Sequence, residues 1–259
     1  MQKKFWLSAL GIAFLLFLGL VLWPSQDEEE EILILAAASL QDVMTDLMQV
    51  YEAEHEGKVT LSFASSGTLR KGIEEGAQAH LFISASPQET DRLIEKGHVA
   101  QNDVTALLSN QMVLISYLED KKITSLADVL DSEGPIAIGD PDFVPAGRYA
   151  MEIIMNQGLW DSLGERLLYC KDVRQVLAYV ATGEVDAGLV YRTDAIREPL
   201  VSIREAYEEE LFTEILYPLV ILPRGKESVL ARDVQAFLLG DEARAIFEKY
   251  GFFRRGNDL

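Results

Sequence analysis

Short apolar runs alternate along this chain with stretches whose apolar positions recur every three or four residues. Ile32 to Ala36 is a continuous apolar run, the pattern of a strand buried on both faces. After it, Leu40, Val43, Met44, Leu47, Met48 and Tyr51 follow helical spacing, and Gly57 is expected to end that helix. Ser39-x-x-Asp42 reads as its capping box. Val59 to Phe63 is a second strand, and the Ser65/Ser66 turn opens a short helix ending near Gly76. Leu81 to Ala85 is a third strand. Ser86-Pro87-Gln88-Glu89 then supplies an N-cap, a proline at the first helical position and an acidic third residue, for a helix ending at Gly97.

The alternation resumes with strands over Met112–Tyr117 and Ile136–Gly139 and a short helix capped at Ser125. Asp140-Pro141 and Val144-Pro145-Ala146-Gly147 follow, then a helix with Met151, Ile154 and Met155 on one side. Cys170 falls in a strand, and Asp172 caps a helix striped by Val173, Val176, Leu177 and Val180. Ala187 to Tyr191 is a strand. Leu216 to Leu222, interrupted by Pro218, reads as an edge or crossing strand. Helices over 228–239 and 241–250 close the chain. Repeated βα units predict an α/β fold of mostly parallel sheets flanked by helices, and their length suits two lobes better than one sheet. No solenoid repeat is visible.

The N-terminus has the pattern of a targeting segment. Lys3 and Lys4 precede an uncharged run, Phe5 to Trp23. It exceeds the roughly 7–15 residues of an ordinary signal-peptide core and nears the roughly 20 that span a bilayer. Trp6 and Trp23 flank it, no small-x-small cleavage pattern follows, and no cysteine is there to carry a lipid. Residues 1–26 are therefore expected to be a signal or signal-anchor segment, with the uncleaved anchor preferred. The positive-inside rule then places the rest outside the cytoplasm, in the periplasm or on the outer membrane face. Residues 27–31, all acidic, read as a solvated tether.

The net charge of −19 argues against a nucleic-acid partner. It leaves room for a small anion held by aimed N–H groups. The single cysteine, Cys170, excludes an intrachain disulfide and reads as a buried, inert thiol. His55, His80 and His98 are scattered without metal-ligand spacing, and Asp140 with Asp142 reads as a turn and cap. There is no GxSxG, Walker loop, HExxH or GxGxxG. Candidate chemistry gathers instead where strands end. Ser39 and Ser66 offer hydroxyls, Ala146 and Gly147 open a helix, Val173 follows a cap with its N–H free, and Tyr191 closes a strand. Taken singly, each has an ordinary alternative as a cap or core residue. A membrane-tethered hydrolase using Ser39 or Ser66 would need a base near the serine, and no His or Lys accompanies either.

The segments AAASL, SFASSGTL, LFISAS, GDPDFVPAGRYA, DVRQVLAYVATGEVDAGLVYRTDA and IFEKYGF occur here in one order. Together they resemble the periplasmic molybdate-binding proteins, the solute receptors of molybdate ABC importers, over about residues 32–253. The resemblance implies a type II periplasmic-binding-protein fold. Lobe one would be 32–110 plus 218–259 and lobe two 111–217, with hinges near Asn110–Met112 and Leu216–Pro218. It implies a molybdate or tungstate oxyanion held by the hydroxyls of Ser39, Ser66 and Tyr191 and the backbone N–H groups of Ala146 and Val173. Molybdenum would be held as its oxyanion with no side chain on the metal, no cofactor and no catalytic residue. Delivery to a membrane permease and a monomeric state are further implications. Sulfate or phosphate is the alternative ligand. Two positions depart from the family pattern: His80 replaces a usual Asp, expected to be a local structural change, and Gly67 replaces a frequent third serine.

Overall fold

The computed structural model describes residues 30–253. The expected signal or anchor segment and the tether up to residue 29 lie outside the described residues, as do 254–259. Glu31, expected in the tether, already belongs to the first strand, where Lys58 and Thr60 hold its carboxylate.

Ten strands among the described residues form two five-stranded sheets: β1 (Glu31–Ala37), β2 (Lys58–Ala64), β3 (Leu81–Ile83), β4 (Val104–Ser109), β5 (Met112–Tyr117), β6 (Ile136–Gly139), β7 (Leu167–Cys170), β8 (Ala187–Tyr191), β9 (Val201–Ala206) and β10 (Leu216–Ile221). The first sheet has the order β2-β1-β3-β10-β4 and the second β7-β6-β8-β5-β9. In the first, β1 runs parallel to β2 and β3, while β10 is antiparallel to β3 and β4. In the second, β6 runs parallel to β7 and β8, while β5 is antiparallel to β8 and β9. Each sheet is therefore mixed, with a single strand opposed to the other four. The opposed strands are where the chain changes sheets: it passes from β4 to β5 through Asn110–Gln111 and returns from β9 to β10.

Pro218 is not on an edge. It lies inside the first sheet, where the β10–β4 register shifts between Tyr217 and Pro218 and so accommodates the missing N–H. Its carbonyl accepts from Ser84 N–H at 3.0 Å. β4 and β9, which no apolar run announces, are edges, as are β2 and β7 on the opposite sides. β4 and β9 are only partly buried and carry polar residues.

The helices are α1 (Gln41–Glu54), α2 (Ser66–Glu74), α3 (Pro87–Glu95), α4 (Pro145–Asn156), α5 (Val173–Ala181), α6 (Val229–Leu239) and α7 (Asp241–Lys249), with shorter helical turns between. The stripe of α1 is buried as its spacing requires. Its ends differ from expectation. α1 stops at Glu54, and Gly57 makes the positive-φ turn (108°) into β2. No Ser39 capping box forms: a 3₁₀ turn, Ala38–Leu40, precedes α1 and turns Ser39 away from the helix. Ser65, not Ser66, caps α2.

His80 precedes β3 beside β1. Its Nδ1 accepts from Leu33 N–H at 3.0 Å, while its own N–H donates to Leu33 O at 2.8 Å. A carboxylate could serve as the same acceptor, which explains why His or Asp suits this position. His80→Asp is expected to stay within about 0.5 kcal/mol of the parent stability. His80→Leu strands the Leu33 N–H and should cost about 1–3 kcal/mol. Urea unfolding of the two variants distinguishes these outcomes, and equal losses would remove the acceptor role.

Candidate functional site

The three co-directional strands β1, β2 and β3 of the first sheet end at the same cavity as β6, β7 and β8 of the second. Beyond their carboxyl ends, Ser39, Ser66, Ala146, Val173 and Tyr191 all line it, with Ala37, Ala38, Ser65, Ala85, Val144, Pro145 and Asp172. The five residues that the resemblance names are thus brought together, while Gly147, also singled out at the start of α4, is not in the lining. The cavity is small, about 10 Å³, room for roughly one water-sized sphere. Asp172 is the only charged residue in the lining, and no Lys or Arg is present there.

Each donor is set by its element. α4 starts at Pro145 with Val144 as an N-cap that makes no side-chain bond, although the Gly147 N–H donates to Val144 O at 2.9 Å. The Ala146 N–H has no intrahelical acceptor there. At α5, the Asp172 side chain accepts from Gln175 N–H at 2.9 Å, leaving the Val173 N–H in the same unsatisfied first turn. Ser66 Oγ accepts from Ala85 N–H at 2.9 Å, and Ser39 Oγ lies 3.0 Å from the Tyr217 hydroxyl. The Tyr191 hydroxyl is buried without a hydrogen-bond partner. Burial pushes its pKa well above the ordinary value, so it remains a protonated donor. An arrangement of neutral donors around a dry, cation-free space suits capture of a small anion. It offers no general base beside either serine: the one carboxylate in the lining is committed to a helix cap.

Sequence reasoning missed two contributors and, in Gly67, noted a departure without its packing role. Asn110 and Tyr217 stand behind Ser39, and their only sequence signal was proximity to the expected hinges. Gly67 closes the gap between the two sets of strand ends: its N–H donates to Phe143 O at 2.9 Å. A Cβ at Gly67 would stand 2.5 Å from that oxygen and 2.7 Å from Phe143 Cα, so a serine does not fit here in this arrangement. Cys170 is buried with its thiol pKa pushed up to about 11 by burial, and is unreactive.

Residues 32–253 match the family of bacterial extracellular solute-binding proteins, and the chain belongs to it. It is 40% identical over 246 residues, 93% of this chain and 94% of the relative, to the putative ABC transporter substrate-binding lipoprotein YvgL of Bacillus subtilis. It is 35% identical over 231 residues, 87% of this chain and 90% of the relative, to the molybdate-binding protein ModA of Escherichia coli. Among solved structures, the periplasmic molybdate-binding protein of Azotobacter vinelandii superposes with a TM-score of 0.78 at 21% identity, covering 87% of this chain and all of that one. These relatives are solute-binding proteins rather than enzymes.

Near the cavity, Asp194 is buried at 2% exposure. One oxygen lies 3.5 Å from Arg174 Nη1 and the other has no hydrogen-bond partner. Burial pushes its pKa from 3.8 up to about 7, with Arg174 opposing. The folded protein therefore keeps a proton that the unfolded chain has released, and stability falls as pH rises from about 3.8 to about 7. Asp194→Asn should match the parent near the bottom of that window. It should gain on it toward pH 8, on the order of 2–4 kcal/mol. Urea midpoints of both proteins across pH measure the gap. A gap that does not change with pH contradicts the buried, shifted carboxyl.

Proposed function

We propose that the protein captures molybdate, and tungstate with it, in a cleft between two lobes and delivers it to the permease of an ABC importer. The observation that carries this reading is the buried, unpartnered Tyr191 hydroxyl, which lines one cation-free cavity with Ser39, Ser66 and the first turns of α4 and α5. Relatives that are named molybdate-binding proteins support the choice of ion. Ser39, Ser66 and Tyr191 would donate hydroxyl protons, and Ala146 and Val173 backbone N–H groups, to the oxyanion's oxygens. Helix N-termini favour the negative charge without any buried cation that would be left unpaired in the empty receptor. Selection over sulfate would rest on the size of the closed cavity.

The lobes would be 32–110 with 218–259, and 111–217, hinged at Asn110–Met112 and Leu216–Pro218. The arrangement described here would be the closed one. Gly67 N–H to Phe143 O, Arg174 to Asp42 at 3.1 Å and Arg148 to Glu89 at 2.8 Å all join the first-sheet side to the second. The receptor would act as a monomer at the outer face of the membrane, with residues 5–23 as its anchor.

Thermal unfolding with molybdate, tungstate, sulfate and phosphate in turn tests the ligand. At about 1,000 times Kd, a ligand of the folded state adds roughly 4 kcal/mol, several degrees in Tm. Shifts with molybdate and tungstate alone are expected, and Tyr191→Phe should weaken both by about ten- to a hundredfold. A shift with sulfate or phosphate would move the substrate, and none with any oxyanion would refute the reading. Gly67→Ala tests closure. It should lower molybdate affinity by at least about tenfold, or 1.4 kcal/mol, while calorimetry of the ligand-free protein changes little. Unchanged affinity would mean that the Gly67–Phe143 approach is not part of the bound state.

A further inference from the structure

Behind Ser39 runs a hydrogen-bonded chain whose polarity is set by the backbone. Gln111 N–H donates to Asn110 Oδ1 at 2.9 Å, which fixes the orientation of the Asn110 amide. Its Nδ2 therefore faces the other way with two protons to give. One goes to Thr193 Oγ1 at 2.9 Å and the other to the Tyr217 hydroxyl oxygen at 3.2 Å. Tyr217 and Asn110 are both buried, and burial raises the Tyr217 pKa, so the phenol keeps its proton. A phenol has only one. The Asn110 Nδ2 cannot accept, so of the two groups bonded to Tyr217 only Ser39 Oγ, 3.0 Å away, can take that proton. Ser39 then accepts from Tyr217, and its own proton is left for the cavity that it lines. Ser66 reaches the same state more simply, because the Ala85 N–H occupies its oxygen.

We propose that Asn110 and Tyr217 are specificity-determining positioning residues: they hold the Ser39 hydroxyl as a donor, so that the site accepts oxyanions whose oxygens are all bare and rejects those that carry a proton. The proposal rests on the oxyanion reading of the site. A protonated oxygen needs an acceptor, and a Ser39 that turned its remaining lone pair to it would leave its own proton without one, because Tyr217 is already donating to Ser39. Asn110 lies on the outward crossing between the sheets and Tyr217 on the strand that returns, so the element that would hinge the molecule also orients one of its donors.

The test compares molybdate with arsenate, an ion of similar shape that keeps one proton near neutral pH, by calorimetric titration and competition at a single pH. In the Tyr217→Phe variant of the whole protein, Ser39 is released. Molybdate affinity is expected to fall about tenfold, and arsenate affinity relative to molybdate to rise by at least that factor. In a Ser39→Ala background the same Tyr217→Phe change should leave the ratio where it was. If Tyr217→Phe does not fold, Asn110→Ala carries the test, since it removes the donor that sets the phenol's direction. Equal losses for both ions, an unchanged ratio, or the same ratio change without Ser39 would overturn the relay while leaving the oxyanion site intact. A parent protein that binds neither ion would overturn the site and the relay together.

Discussion

A cavity walled by neutral donors and buried away from water is stable only if every donor is aimed and held before the ligand arrives. An N–H or O–H without a partner in such a place costs about 1–3 kcal/mol, and the Tyr191 hydroxyl is left in that condition. Most of the architecture can be understood from this constraint. Six strands end at one point, so that their following turns supply N–H groups and hydroxyls from both sheets. α4 and the 3₁₀ turn after β1 begin without side-chain caps, where a surface helix would carry one. At the same time, Ser65, Ser86, Asp172 and Ser228 cap the helices that follow them. Capping chemistry is therefore available to this fold: Asp172 uses it at α5 beside the cavity, while α4 opens there without it.

The handling of cations follows the same logic. Arg70 and Arg148 converge on Glu89, which is fully buried. Arg174 is shared between Asp42 and Asp194. The arginines around the site are thus neutralised by partners from the chain itself. An arginine in the cavity wall would hold a dianion more tightly, but it would also leave a buried charge unpaired in the empty protein. On the proposed reading, arginines tied to carboxylates across the two sheets would favour closure rather than contact with the ion.

The fold was legible wherever burial is symmetric about an element. The apolar runs at β1, β5 and β8 and the stripes of α1 and α5 needed no tertiary information. The edge strands β4 and β9 were not legible, whereas the edge β2 was, because its Val59, Leu61 and Phe63 alternate with polar residues. Ser39 illustrates a subtler limit. Its spacing to Asp42 matches a capping box, yet the 3₁₀ turn redirects it to Tyr217, a residue far along the chain. The five lining residues could be named because each sits at a strand end, a local feature. Asn110, Tyr217 and Gly67 act through partners brought near only by the two crossings between sheets, and no local pattern marks them.

Those crossings also explain why the opposed strands matter. A sheet of parallel βα units alone has no reason to send the chain elsewhere. The co-directional strands β4 and β9 bring the chain to the end where the cavity lies and the opposed strands β5 and β10 start there, so Asn110 leaves the first sheet, and Tyr217 re-enters it, close to Ser39. On the proposed reading, rotation about such crossings would move the second sheet's donors, Ala146, Val173 and Tyr191, as a group, while Ser39 and Ser66 would stay with the first. Ser66 is oriented by Ala85, within its own sheet's strand ends, and should be insensitive to that rotation. Ser39 is oriented through residues at the crossings themselves. On the proposed reading, the two hydroxyls then differ in kind: one is a fixed donor, and the other is a donor only while the hinge holds the geometry seen here.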